Sequence, residues 1–475
     1  MNSTAPVIRI LKVSLYRAEL RTRMPFRYGI AVMRDLPHVF IQLDAEIEGK
    51  AARGIAADHL PPKWFIKDPD RDLAAEIADM ARVIRHAAQI AEGMEIADPF
   101  SFWQQLYNAQ GAWGAAEGLP PLLTHFGTSL IERALIDAFC RHRGKPFHDL
   151  LRGDAFGINL EEIHPELRGT QPRDWLPPRP APVVYCRHTI GLSDPLEDAD
   201  IVAEDILRDG LPQSLIACIR HYGLSQFKIK FTSDRTQSLP RLQAITDVLL
   251  RGTGGNFAAS LDGNESFYDV GQFRDFWNEA RALSELAPLF KRLLFVEQPL
   301  HRSVALGGEV RSVLPGWVDR PPIIIDESDA EAGSLRRALE CGYAGTSHKN
   351  CKGVFRGVAN ACRLAQLRRA GGVGLMSAED LTTIGPVSLL QDLAVQAALG
   401  NESVERNGHH YFRGLSFWPE VIQHQMLEHH GDLYGRTPEG VTALRVEKGR
   451  INLDTINAAP FGVSPLPDLG AFASL

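Results

Sequence analysis

Gln226-Phe227-Lys228-Ile229-Lys230-Phe231 is the stretch from which the fold is read. In an extended strand side chains alternate between two faces, so Phe227, Ile229 and Phe231 share one and Lys228 and Lys230 the other. Alone, this fits an edge strand with its lysines in water. Downstream, however, short apolar runs end at Asp262 (Ala258-Ala259-Ser260-Leu261), Glu297 (Leu293-Leu294-Phe295-Val296), Asp326 (Ile323-Ile324-Ile325), near Lys349 and near Met376 (Val373-Gly374-Leu375). Helical stretches such as Gln272 to Leu286 and Ser334 to Leu339 separate them. Repeated strand–helix units with apolar strands indicate a parallel sheet covered on both faces, and this many units favour closure into a barrel. No Gly-x-Gly-x-x-Gly follows a first strand, which removes the main support for a dinucleotide-binding sheet.

Upstream of the lysine stretch the pattern changes. Val183 to Ile190 is a further strand candidate, and a helical stretch is expected around Asp200 to Arg208. Residues 155–182 carry Pro165, Pro172, Pro177, Pro178, Pro180 and Pro182, which favour extended backbone and mark a linker or insertion. Residues 1–154 form an α+β unit: Ile8 to Val13 and Val39 to Leu43 alternate as antiparallel strands, with a loop from Arg23 to Gly29 between them. Leu73, Ile77, Met80, Ile84, Ala87 and Ala91 recur at helical spacing behind Asp72, and a second helix carries Ile131, Leu135, Ala138 and Phe139 before Gly144. The barrel is expected over 183–415, with 416–475 a separate C-terminal segment.

The chain has 475 residues and a net charge of −7. Ordinary apolar and charged fractions place it among soluble globular proteins of more than one domain. No basic stripe suits nucleic acid, and no apolar run suits a membrane, so a small-molecule partner and a cytoplasmic location are expected. The six cysteines (Cys140, Cys186, Cys218, Cys341, Cys351 and Cys362) show no paired or zinc-ligand spacing and read as reduced, mostly buried thiols. Cys351 stands out only for its neighbourhood.

Ionisable residues fall about one unit apart: Lys230 to Asp262 is 32 residues, then 35 to Glu297, 29 to Asp326, 23 to Lys349 and 30 to Glu379. All would converge on the mouth where barrel enzymes assemble their sites. Singly, Asp262-Gly263-Asn264 is a common turn, Asp326-Glu327-Ser328 a helix cap and Glu297-Gln298-Pro299 a strand end. Together, three carboxylates in one place repel unless a divalent cation sits among them, and hard oxygen donors favour Mg²⁺ over zinc. A carboxylate substrate on such an ion becomes easier to deprotonate at its α-carbon. A lysine base needs a lowered pKa, which Lys228 beside Lys230 would provide. Lys349, four strands further round, would reach the other face. A Schiff-base lysine enzyme and a non-catalytic metal-binding protein remain alternatives.

The series Lys228-Ile229-Lys230, Asp262-Gly263-Asn264, Glu297-Gln298-Pro299, Asp326-Glu327-Ser328 and Lys349 resembles the enolase superfamily (the mandelate racemase/muconate-lactonising family), closest to its muconate-lactonising and dipeptide-epimerase branch. The resemblance implies a (β/α)7β barrel with an α+β capping domain built from the N-terminal region and the C-terminal tail, Val441 to Val463 returning to the cap. It implies Lys230 and Lys349 as the acid/base pair, Lys228 as helper, and Asp262, Glu297 and Asp326 as Mg²⁺ ligands. Epimerase or racemase chemistry is expected, with cycloisomerase or hydro-lyase chemistry on the same scaffold as alternatives. Arg23, Phe26, Arg27 and Tyr28, and a second capping loop from Arg53 to Leu60, would select a small carboxylate substrate. Asn264 would join them, and Glu379 would either face substrate or cap a helix with Asp380. Lys352 is a second candidate for the role of Lys349, and strand alternation aims His348 outward. A homo-oligomer is expected. The chain departs from the family in the Ala52-Arg53-Gly54-Ile55 segment and in the lone Gly353.

Overall fold

The computed structural model of the chain describes residues 8–28 and 31–475; the side chain of Tyr28 and the loop tip at Gly29 lie outside the described part. Three long antiparallel strands open the fold: β1 (Ile8–Tyr28), β2 (Ala31–Ile47) and β3 (Lys50–His59), with a short β4 (Glu95–Ile96) on β1. Arg23 to Phe26 is therefore not a loop. It is the end of a hairpin ribbon whose register shifts between Arg21 and Phe26. Arg53 to His59 is likewise strand, paired along β2.

Helices α1 (Leu73–Ala91), α2 (Pro99–Ala116) and α3 (Pro121–Arg143) cover this sheet. Asp72 caps α1 by accepting from the Ala75 amide, and Gly144 ends α3 at φ 61°, where a residue without Cβ is least strained. The sequence shows α3 as a helix with one apolar face, yet it is buried on nearly every side, between β3, α1, α2 and the barrel. Gly54 permits that closeness: a Cβ there would lie 2.1 Å from the Ala134 carbonyl oxygen.

α4 (Phe147–Arg152) and α5 (Pro172–Trp175) lead to the barrel. Residues 155–182 are not extended. They form short helical turns at Leu160–Glu162 and Pro165–Leu167 as well as α5, with Pro165 and Pro172 in first-turn positions, where a missing N–H costs nothing.

Eight parallel strands follow: β5 (Val183–Ile190), β6 (Gln226–Lys230), β7 (Ala258–Asp262), β8 (Leu293–Glu297), β9 (Ile323–Ile325), β10 (Gly345–His348), β11 (Leu375–Ala378) and β12 (Ser403–Arg406). Their order is sequential and β12 pairs with β5, so the barrel closes. The outer layer comprises α6 (Leu215–Tyr222), α7 (Arg235–Thr253), α8 (Val270–Ala282), α9 (Ala287–Phe290), α10 (Gly308–Val313), α11 (Ser334–Glu340), α12 (Val354–Arg369), α13 (Ser388–Leu399) and the one-turn α14 (Gly408–Tyr411). Phe231 of the opening stretch stacks on Phe276 of α8 at 5.3 Å, so the apolar face of that strand does face the helices. The helix expected at 200–208 is absent. Only single turns occur at Asp198–Asp200 and Ala203–Asp205, where Glu204 and Asp205 offer no apolar stripe to bury.

In the C-terminal segment, β13 (Tyr434–Arg436) and β14 (Thr442–Leu444) pair with each other, and β15 (Arg450–Asn452) runs antiparallel to β5. Of the strands in 441–463 only β15 joins the barrel, and the segment then reaches the capping domain, where Arg141 of α3 donates to the Val463 carbonyl. Only β16 (Ala473–Ser474) joins the capping sheet, on β1. Among the described residues no helix is long and apolar enough to cross a membrane.

Candidate active site

Lys228 and Lys230 project from β6 into the barrel mouth, where both are buried. The Lys228 ammonium lies within 3.0 Å of carboxylate oxygens of four residues on four other strands or strand ends: Asp262, Glu297, Glu379 and Glu405. Burial alone would lower its pKa, but these carboxylates outweigh burial and hold it well above the usual lysine value. Lys230 donates to Asp262 Oδ2 at 2.5 Å.

Across the mouth, Lys349 follows β10 and donates to both oxygens of Asp326, at 2.7 and 2.8 Å, and to Glu379 at 2.7 Å. Its ammonium also sits 5.4 Å from the centre of the Trp64 ring. Burial and Lys228 lower the pKa of Lys349, but Asp326 and Glu379 raise it further, well above the usual range. The reason is simple electrostatics: the carboxylates have the lysines as their counter-ions.

Single ligand oxygens of Glu297, Asp326 and Glu379 lie within 4.8 Å of one another, all buried. Glu379, which follows β11, thus sits inside the carboxylate cluster, with the Arg187 guanidinium 3.5 Å away on β5. Asp262 stands beside that trio, held by Lys228 and Lys230. Burial and the charges of Asp262 and Glu379 push the Glu297 carboxyl well above its usual pKa, whereas lysines pull Asp326 and Glu379 below theirs against the effect of burial. Lys228 lies 2.8 Å from Glu297 Oε2, yet its hydrogen bond goes to Oε1 at 2.9 Å; Oε2 is a buried oxygen with no hydrogen bond of its own.

The other singled-out residues divide sharply. Phe26 is buried, lines the cavity above the cluster and stacks on Tyr411 at 4.1 Å. Asn264 lines it too, at φ 45°, its amide donating to Asp262 Oδ1. Arg23 does not face the cavity: its guanidinium makes a two-point pair with Asp209 and donates to the carbonyls of Leu211, Pro212 and His410. Arg27 is exposed and outside the cavity lining. Arg53 pairs with Asp44 on the sheet surface, so Pro61 and Trp64, beyond the end of β3, supply the second capping contact instead. Lys352 is buried below Asp326, with its ammonium 2.8 Å from Asp326 Oδ1 and donating to the Asp326 and Ser347 carbonyls; unlike Lys349 it does not line the cavity. His348 points out of the barrel, its Nε2 donating to Asn350 Oδ1, 3.1 Å away. Burial pushes the Cys351 thiol far up, so it is no nucleophile. Glu327 lines the cavity, pushed up to about 8 by burial and by Asp326.

Sequence reasoning misses Glu405 on β12, which reaches Lys228 at 3.0 Å, and Trp64. Ser403-Val404-Glu405-Arg406 has one apolar residue and carries no strand signal. Trp64 follows two prolines and is aimed only by tertiary contacts: Arg302, paired with Glu265, donates to the Trp64 and Phe65 carbonyls. The cavity they enclose is about 50 Å³.

No protein-family model matches this chain and no curated protein matches it in sequence. Solved structures do match over nearly the full length. N-succinyl Arg/Lys racemase from Bacillus cereus is 15% identical with a TM-score of 0.58, covering 95% of this chain and 98% of that one. A dipeptide epimerase from Enterococcus faecalis is 14% identical, TM-score 0.58, covering 96% and 100%. An enolase from Bradyrhizobium, solved with magnesium and mandelic acid, is 15% identical, TM-score 0.56, covering 95% and 94%. These neighbours are enolase-superfamily members, and the chain shares their fold, a capped (β/α) barrel.

Proposed function

We propose that this chain is a Mg²⁺-dependent racemase or epimerase of the enolase-superfamily type, acting at the α-carbon of a small carboxylate substrate. The observation that carries the reading is the placement of Lys230 and Lys349 four strands apart in an eight-stranded barrel, on opposite sides of one buried carboxylate cluster. The cluster fits a hard divalent cation: its donors are all buried carboxylate oxygens lying within 4.8 Å of one another. Glu297, Asp326 and Glu379, with Asp262 adjacent, would hold the ion. When bound, Mg²⁺ supplies stabilisation of the negative charge that develops on the substrate carboxylate as the α-proton leaves.

The chain's own residues do the rest. Of Lys230 and Lys349, one in neutral form would take the α-proton. The other, as an ammonium on the far side, returns a proton to the opposite face, which inverts the centre. Lys228, held by four carboxylates, stays cationic and lowers the proton affinity of its neighbours. Phe26 and Trp64 close over the cavity and exclude water. The racemase and epimerases among the structural neighbours support N-acyl amino acids and dipeptides as the first substrates to try. The test is a screen of these and of acid sugars for loss of optical activity. Turnover abolished by chelator and restored by Mg²⁺ is expected; turnover that persists in chelator, or Mg²⁺ binding without turnover of any acidic compound, would overturn the proposal.

A further inference from the structure

A second constellation lies outside the barrel mouth, between β5, α6 and α14. His188 on β5, Cys218 on α6 and His410 on α14 are all buried, and one ligand atom from each lies within 4.8 Å of the others. Cys218 Sγ is 3.5 Å from His410 Nδ1. Ligand distances of about 2.3 Å to sulfur and about 2.0 Å to nitrogen put S and N about 3.5 Å apart in a tetrahedral site. That pair already has the spacing, and the third ligand atom lies within 4.8 Å of both. Around them, His188 Nδ1 is 3.2 Å from His409 Nε2, and Cys186 Sγ is 3.9 Å from His409 Nδ1. Two thiols and three imidazoles thus meet in one buried pocket.

We propose that His188, Cys218 and His410 bind a soft d¹⁰ metal ion, zinc(II) or copper(I), distinct from the hard-cation cluster in the barrel. Two imidazoles and a thiolate are the donor set such ions prefer and Mg²⁺ does not. Binding replaces the Cys218 thiol proton, so one proton leaves per ion bound. The Arg23 guanidinium contacts the His410 carbonyl, so a copper(I)–thiolate centre, with no net charge, is less opposed there than a zinc(II)–thiolate centre with one positive charge. The ion would tie α14 to β5 and α6 directly behind Glu405 and Asn407, which line the cavity.

The test uses the full-length chain, reduced, stripped with chelator and then saturated with Mg²⁺. Titration with Co²⁺ should give one equivalent of binding with a thiolate-to-metal charge-transfer band, displaced by Zn²⁺ or by buffered Cu⁺; their relative affinities identify the resident ion. The band should vanish in Cys218→Ser and affinity should fall at least about tenfold in His410→Gln, while Cys186→Ser retains both. Binding should raise the melting temperature of the wild type and not of Cys218→Ser. Absence of saturable binding, a band that survives in Cys218→Ser, or a band lost only in Cys186→Ser would overturn the assignment. If Cys218→Ser does not fold, unchanged Co²⁺ affinity in His410→Gln does so.

Discussion

Single residues carry the proposed chemistry, and two were assignable to the wrong role without the fold. Lys230 could be singled out because it ends an alternating strand, and Lys349 because it falls at the period of a later strand–helix unit, so periodicity brings them to one mouth. Glu379 has the same spacing, but a residue after a short strand can cap, coordinate or contact substrate, and in the structure it sits against Arg187, Lys228 and Lys349. Replacing it therefore distinguishes the roles: Glu379→Gln should weaken Mn²⁺ binding at least about tenfold, measured by paramagnetic relaxation, whereas a pure substrate contact would leave that affinity unchanged and raise KM. Arg23 failed in the opposite way. Two arginines among aromatics look like a binding loop, yet the Arg23 fork is fully engaged by Asp209 and three carbonyls.

At the scale of elements, the β1–β2 ribbon carries Phe26 over the cavity, where it stacks on Tyr411. The Arg23–Asp209 pair latches that ribbon to the stretch after β5. Asp209→Asn should accordingly raise KM more than it lowers kcat, read from initial rates on whichever substrate the screen finds. A second element-level prediction concerns the β3–α3 contact. Gly54→Ala places a methyl 2.1 Å from the Ala134 carbonyl and should cost about 1–3 kcal/mol, read by denaturant melting. The helices α1 and α3 were legible with their caps, since Asp72 and Gly144 punctuate clear apolar spacing. Strand β12 was not, because its pairing to β5, rather than its own composition, makes it a strand.

For the whole molecule, alternating apolar runs and helices made the barrel readable, while the contacts between cap and barrel were not, being made between residues hundreds of positions apart. One such contact predicts a pH effect. His59 on β3 lies 3.0 Å from His38 Nδ1 and 3.2 Å from the Thr382 carbonyl, beyond β11, and burial lowers its pKa to about 4. The unfolded chain takes up this proton near the ordinary histidine value, about 6.5, but the folded chain does so only near 4. The His59 contribution is thus complete above about 6.5 and declines as pH falls from there toward 4, by up to roughly 3 kcal/mol. Asp58, raised to about 6 by burial, acts in the opposite direction, so the comparison is internal. The melting temperature of the wild type should fall more steeply between pH 6.5 and 4 than that of His59→Gln; equal slopes would remove His59 from the account. The central claim, proton transfer from two sides of one carboxylate cluster, is tested most directly by solvent deuterium exchange. With Mg²⁺ and each enantiomer of a turned-over substrate, Lys230→Ala and Lys349→Ala should each lose α-proton exchange for a different enantiomer, by about 10²–10⁴-fold, and keep it for the other. Loss of exchange for the same enantiomer in both variants, or equal exchange in both, would contradict it.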